Sequence, residues 1–239
     1  MDLQEIIEKR KSIRTYRGVD LSTDDRKYVI DLISDISQQP PFDAPVKIYY
    51  LKTGSGADAE RLGTYGVIKG TEEFLGVTVK NRENSMESVG YCFEKIVLKL
   101  TERGIGTCWL AGTFNREQFA NAMSVKKDDI FPIVSPIGYP AEKGSVINAV
   151  FRTFSKSDRR KPWTELFFDT DFEHGLTEEK AGEYAFALEM LRLAPSAANR
   201  QPWRVIKKGN DLHFYRHKAD NNRYPYDLPA LDTGIGACH

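Results

Sequence analysis

Apolar residues recur along this chain in two alternating rhythms. Asp2 to Lys9 reads as a short helix, and between Ser22 and Ile36 the residues Tyr28, Val29, Leu32, Ile33 and Ile36 fall three and four apart, so they share one helical face. Val46 to Leu51 and Phe74 to Val79 are short β-rich runs that predict strands. Ser85 is placed to cap a long helix whose stripe is Met86, Val89, Phe93, Ile96, Val97 and Leu100, and Gly104-Ile105-Gly106 ends it. Ile130 to Ile137 is strand-like, with Pro132 and Pro136 confining regular pairing to part of the run or to a sheet edge. Leu176 to Leu193 predicts a further amphipathic helix. Trp203 to Lys207 and Leu212 to Tyr215 predict a hairpin around Lys208-Gly209-Asn210.

This order repeats. Leu21-Ser-Thr-Asp-Asp25 matches Leu176-Thr-Glu-Glu-Lys180, and the same offset of 155 residues aligns Pro40 with Pro195, each followed by a strand. Glu87 to Phe93 (ESVGYCF) resembles Leu231 to Ala237 (LDTGIGA) at an offset of 144, so the second copy has a shorter connection. Amphipathic helices of ordinary composition also produce such matches. On the repeat reading, residues 1–160 and 161–239 are two related halves, linked around Arg159 to Asp171 and sharing one sheet and core. Asp232 to His239 then stands as the first turn or two of a helix whose counterpart reaches about Arg103. Either the second copy is pared down or the polypeptide lacks its natural C-terminus; a Gly-rich octet alone is only marginally helical.

A chain of 239 residues is long enough to bury a sizeable core. With 34 basic and 34 acidic residues the formal charge is zero, so no long-range attraction to nucleic acid or to an anionic membrane is expected. No run approaches a membrane span of about 18 apolar residues, and the charged start MDLQEIIEKRK is unlike a signal peptide. The expected location is the cytoplasm. Cys92, Cys108 and Cys238 form no CxxC pair and read as buried reduced thiols. His174, His213, His217 and His239 have no metal-ligand spacing, because the His213–His217 pair straddles a strand rather than a helix. No metal site is expected.

Two segments far apart in the chain carry candidate chemistry. Arg10, Lys11 and Arg14 with Ser12 put three cations and a hydroxyl within five residues at the end of a helix, and guanidinium groups suit bidentate contact with phosphate. On its own such a pentad is an ordinary solvated surface. The other segment is Ala194-Pro-Ser-Ala-Ala-Asn-Arg-Gln-Pro-Trp203, which resembles the APSxxNxQPW signature of the FMN-dependent nitroreductase family; Arg10-Lys-Ser-Ile-Arg14 resembles that family's RRSxR. Gly104-Ile-Gly-Thr-Cys-Trp-Leu-Ala-Gly-Thr-Phe114 is similar to its GLGTCWLGGF, with one residue inserted before Phe114. Ile137-Gly-Tyr-Pro140 followed by Arg159-Arg-Lys-Pro162 resembles its LGYP and KxRxP pair, with Asp158 standing where a first basic residue is frequent.

The resemblance implies an α+β fold, a mostly antiparallel sheet flanked by helices, with FMN as cofactor. It implies phosphate contacts from Arg10, Lys11, Ser12, Arg14, Arg159 and Arg160. Pro195, Ser196 and Asn199 are implied to cover the flavin, a role that the family's opposite subunit fills. The backbone of Leu110, Ala111 or Gly112 is implied to face the ring, where small residues let an amide approach closely. The family's two motifs normally lie close together at the N-terminal end. Here Ser37 to Pro45, the first-half counterpart of the signature, lacks its Asn, and Phe172 to Gly175, before the second repeat, lacks RxSxR. Each half keeps the complementary part of one site, which implies a monomer acting as a pseudo-dimer, or a weak homodimer, with a single FMN.

The implied activity passes two electrons from NAD(P)H to a nitroaromatic, a quinone or a similar flat acceptor. The alternatives are a non-catalytic flavin-binding or flavin-storage protein, and an enzyme of the same fold acting on flavin itself or on a halogenated phenol. No Ser-His-Asp, HExxH or Walker pattern competes, and no residue is assigned an acid–base role.

Overall fold

Asp2 and Glu5 open the chain with a reciprocal capping box: the Glu5 amide donates to Asp2 Oδ1 at 2.8 Å and the Asp2 amide to Glu5 Oε2 at 3.2 Å. Helix α1 (Leu3–Lys9) follows, anchored by Ile6 and Ile7 against Leu98 and Met190. The computed structural model describes residues 1–37, 41–54, 62–142, 159–217 and 226–239; Pro40 and Asp158, both used in aligning the motifs, lie outside the described residues.

Helix α2 (Thr23–Ser37) starts where the Ser22 hydroxyl accepts the Asp25 amide at 3.1 Å. Strands β1 (Val46–Lys52) and β2 (Glu73–Val79) pair antiparallel from Val46↔Val79 to Lys52↔Glu73. Helix α3 (Ser85–Glu102) buries its predicted stripe. Its cap is Asn84, in a left-handed conformation (φ +56°), while the Ser85 hydroxyl turns back to the preceding loop, donating to the Lys80 carbonyl at 2.6 Å.

Strand β3 (Gly106–Thr107), helix α4 (Arg116–Ala122) and strand β4 (Ile130–Gly138) complete a four-stranded antiparallel sheet ordered β1-β2-β4-β3. Of the two outcomes expected of the prolines of β4, the structure shows the first: the strand is not at an edge, but its pairing with β3 is confined to Gly138 and Ile137. Val134 exchanges hydrogen bonds with Leu110 at 2.9 and 3.1 Å, on the side away from β2. Residues 132 and 136 have the same parity, so their missing N–H groups also face that side, where β3 is only two residues long.

The second half holds α5 (Trp163–Leu166), β5 (Phe167–Asp169), α6 (Glu178–Ala181), α7 (Ala185–Leu193), β6 (Trp203–Lys208), β7 (Asp211–Arg216) and α8 (Leu228–Cys238). The predicted helix 176–193 is split at Gly182, whose φ of +59° breaks the helical ladder and inserts a 3-10 turn between α6 and α7. The hairpin forms as expected, with β6 and β7 paired from Trp203↔Arg216 to Lys208↔Asp211 and Gly209 at φ +61° in the turn. β5 joins β6 in parallel, making a separate three-stranded sheet. Among the described residues the halves therefore do not share a sheet. They do share a core: Val89, Phe93 and Ile133 belong to one buried cluster with Leu188, Trp203, Leu231 and Ile235.

Helix α8 is longer than the octet read from sequence. Asp227 caps it by accepting the Ala230 amide at 3.1 Å, and Pro229 occupies the first turn, where a missing N–H costs nothing. Its partner is α3. Among the described residues no helix is long and apolar enough to cross a membrane.

Candidate functional site

The basic segment leaves α1 at Arg10, whose amide closes the last turn on the Ile6 carbonyl at 2.9 Å. Ser12 then runs beside Thr107 of β3, and the Ile13 amide donates to the Thr107 carbonyl at 2.8 Å. Gly106 permits this approach, since a Cβ there would stand 2.8 Å from Ile13 Cγ1. Below, the Tyr16 hydroxyl donates to the Ile13 carbonyl at 2.8 Å, and burial raises its pKa well above the ordinary phenol value. A helix end and a sheet edge thus fix Arg10 to Arg14 from both sides.

The signature segment follows α7 in an unusual backbone conformation. Ala198, Asn199 and Gln201 have φ of +51°, +55° and +48°, a left-handed region that costs non-glycine residues on the order of 1–2 kcal/mol each. Gln201, fully buried, holds the turn together. Its Oε1 accepts the Lys161 amide at 2.8 Å, its Nε2 donates to the Arg192 carbonyl at 2.9 Å, and its own amide donates to Ser196 Oγ at 2.9 Å. Asn199 ties the turn to the basic run before α5: Arg160 donates to its Oδ1 at 2.9 Å, and its Nδ2 donates to the Arg159 carbonyl at 2.8 Å.

The two segments, nearly two hundred residues apart in sequence, line one cavity of about 560 Å³, within the range of small-molecule and cofactor sites. Arg10, Lys11, Ser12, Arg14, Ala111, Arg160, Pro195, Ser196 and Asn199 all border it. Leu110, Gly112 and Arg159 do not. Leu110 is buried and its amide is used by the Val134 carbonyl; Gly112 is exposed; Arg159 is exposed and contributes only its carbonyl, to Asn199. Of the three residues proposed to face a ring, the structure brings Ala111 to the cavity. Lys9 adds a fifth cation to Arg10, Lys11, Arg14 and Arg160, against the acids Glu8 and Asp232.

Several lining residues carried no site assignment in the sequence. Ile133, Leu228, Leu231 and Ile235 add apolar surface to the lining beside its cations. Trp109, inside the GTCWLAG match, is oriented by Glu94, which is wholly buried on α3 and accepts its indole N–H at 2.8 Å. Glu94 also meets His239 Nε2 at 3.0 Å and lies 3.9 Å from Arg10 Nε. That last distance allows ionic attraction but is too long for a hydrogen bond, and Arg10 Nε is buried with no hydrogen-bond partner. Asp232, only 4% exposed, accepts the Ala197 amide with both oxygens at 3.1 Å. Burial pushes its carboxyl up to about 7, partly offset by the Ala197 N–H and by Arg200. Glu94 carries no signal of such a role in the sequence, because an acid on an amphipathic helix normally reads as solvated.

Residues 2–239 match a protein-family model described as "Putative TM nitroreductase". The chain belongs to this nitroreductase family. A solved structure from Thermotoga maritima MSB8, described as a "putative nitroreductase", superposes with a TM-score of 0.60 at 22% identity, covering 100% of this chain and 81% of that one, which shows the shared fold. A nitroreductase family protein from Clostridium novyi NT is 20% identical with a TM-score of 0.46 over 59% of this chain and 87% of its own. A nitroreductase with bound FMN from Desulfitobacterium hafniense DCB-2 is 14% identical with a TM-score of 0.46, covering 60% of this chain and 92% of that one. No curated protein sequence matches. As a nitroreductase-family chain, this one lines its cation-rich cavity with residues of both its N-terminal and its C-terminal parts, the helix-end pentad and the strained signature turn among them.

Proposed function

We propose that this protein is an FMN-dependent oxidoreductase that passes two electrons from NAD(P)H to a nitroaromatic, a quinone or a similar flat acceptor. The observation that carries this reading is the meeting of the basic pentad and the signature turn around one cavity. The residues suit the cofactor. A buried Arg10 Nε without a hydrogen-bond partner leaves a donor available for an anion, and the apolar surface of the lining suits a flat ring. Arg10, Lys11, Ser12, Arg14 and Arg160 would hold the phosphate and its polar chain, and Pro195, Ser196 and Asn199 would cover the ring. FMN, when bound, supplies the redox chemistry, and the chain's own part is to orient it, exclude water and admit flat substrates. Arg159 acts through its carbonyl, by fixing Asn199.

The same reading holds that residues 1–160 and 161–239 are half-units forming one site between them. Two features support it: α2-β1-β2-α3 and α7-β6-β7-α8 have the same element order, and α3 packs on α8. Steady-state kinetics test the activity. With NADH or NADPH against menadione or a nitroaromatic, two half-reactions through one pocket give parallel double-reciprocal lines; intersecting lines, or a bound flavin that stays oxidised under anaerobic NADH and NADPH, would overturn the proposal.

A further inference from the structure

Asp232 is an acid with little to keep it charged. It is buried on the cavity wall, and among the described residues no lysine or arginine nitrogen comes within ion-pair distance of it. Both of its oxygens serve one donor, the Ala197 amide. A buried carboxylate that keeps its charge normally collects two or three donors or a cation. The shared donor has a further consequence: one oxygen can take a proton while the other still holds Ala197, so protonation leaves the signature turn in place.

The surroundings set the direction of any response. The cavity brings Glu8, Lys9, Arg10, Lys11, Arg14 and Arg160 to the same space. The signature turn brings Arg200, whose field favours the charged form. Helix α3 carries Glu87, Tyr91, Glu94 and Lys95 toward α8, but Glu87 is paired with Arg216 of β7 and Glu94 with His239. Glu189 and Arg192 of α7 pair with each other. Adding a ligand with nearly two negative charges to this cavity disfavours a second anion on its wall.

We propose that Asp232 is a proton acceptor built into the ligand site: when a phosphate-bearing flavin enters the cavity, the Asp232 carboxylate takes up protons from solvent, less than one per flavin bound. The inference rests on the FMN reading above. No bond other than the new carboxyl O–H forms, and the ordinary buffer supplies the proton. With Asp232 already titrating near neutrality, a ligand-induced rise of about one unit gives an uptake of roughly half a proton per FMN at pH 7.5. Affinity then falls up to about tenfold as the pH is raised past both values. The flavin phosphate cannot produce this sign, because a phosphate entering a cluster of cations releases protons.

The experiment is calorimetric titration of FMN into the flavin-free full chain at pH 7.5, in buffers of different ionisation enthalpy. Net uptake that disappears in Asp232→Asn, with FMN still bound, supports the inference. If that variant does not fold, the wild-type Asp232 carboxyl can be followed by 13C NMR across pH with and without FMN, and it should titrate higher when FMN is bound. Zero uptake, proton release, unchanged uptake in Asp232→Asn, or a carboxyl titrating in the ordinary range in both states would overturn the inference alone. Absence of FMN binding would overturn the flavin reading and this inference with it.

Discussion

Gly90 of α3 and Gly234 of α8 make reciprocal contacts: a Cβ on Gly90 would stand 2.0 Å from the Leu231 carbonyl oxygen, and a Cβ on Gly234 would stand 2.0 Å from that of Glu87. Gly90 aligns with Gly234, and Glu87 with Leu231, at the repeat offset of 144. Reciprocal contact of this kind is what a two-fold axis produces between identical subunits. It supports the reading of the chain as two half-units, and α8, one partner in this crossing, also lines the cavity through Leu228, Leu231, Asp232 and Ile235.

The glycine pair gives a first prediction. Gly90→Ala and Gly234→Ala each drive a methyl group into backbone that cannot rotate away, so each should destabilise by about 1–3 kcal/mol or more. Gly236→Ala is the internal control. Its new methyl meets the flexible end of Leu191, at 2.6 Å from Cδ1, and the helix gains about 1 kcal/mol of propensity. Urea denaturation should therefore find Gly236→Ala much the mildest of the three, and equal losses at all three sites would contradict the close-crossing account.

Glu94 gives a second. Among the described residues it alone offers a carboxylate to the largely buried Arg10 side chain, and it orients Trp109 and His239. Glu94→Ala should cost about 3–5 kcal/mol, since it leaves a buried cation without its counter-charge. A loss under 1 kcal/mol in denaturant titrations would show that the cluster is solvated. Trp109 emission, which the Glu94 hydrogen bond constrains, should shift in the same variant.

Much of this molecule was legible in its sequence, for physical reasons that differ by element. The stripes of α2 and α3 and the β6-β7 hairpin were readable because period and turn chemistry agree there. The meeting of Arg10 with Ser196 and Asn199 was readable only through motif resemblance, since no local rule brings residues so far apart in sequence together. Two-residue β3 and the short helices α4 and α5 were not read, because runs of two to seven residues carry too few apolar positions to show a period. Whether β4 would be an edge strand or a partly paired inner one stayed open in the sequence, because the side its prolines' missing N–H groups face is not legible there. The Gly182 break was passed over because the apolar stripe continues across it. Asp232 could have been singled out as the one acid in the apolar octet LDTGIGAC.

Asp232 also makes stability depend on pH. Its folded carboxyl lies at about 7, above the ordinary 3.8 that applies to the unfolded chain. The unfolded state therefore gives up its proton first, and the stability associated with the neutral group, complete below about 4, is lost as pH rises through about 7. Between pH 5 and 8 the loss from this one group is roughly 2–3 kcal/mol. Asp232→Asn should remove that component, so its stability relative to wild type should improve steadily across the interval. A difference that is flat with pH would show that the carboxyl is not held high.

Arg10 and Arg14 should both matter to FMN affinity; Arg14→Ala should matter to affinity more than to folding, whereas Arg10→Ala should also lower stability, because it leaves the buried Glu94 carboxylate without its cation. Replacing either with Ala removes a charged contact worth about 1.5–3 kcal/mol, or roughly one to two decades in Kd. Arg159→Ala should have a smaller effect, because the carbonyl that holds Asn199 is retained. Fluorescence titration of the three variants checks the order, and an Arg159→Ala defect as large as that of Arg10→Ala would move the phosphate to another part of the chain.

The most direct measurement is the stoichiometry of FMN on the flavin-free protein, by titration of flavin fluorescence with chain mass followed by light scattering. The account predicts saturation at one FMN per chain, because the chain has one basic pentad and one signature turn and the two line the same cavity. Two FMN per chain, or no binding at micromolar concentrations, would contradict it.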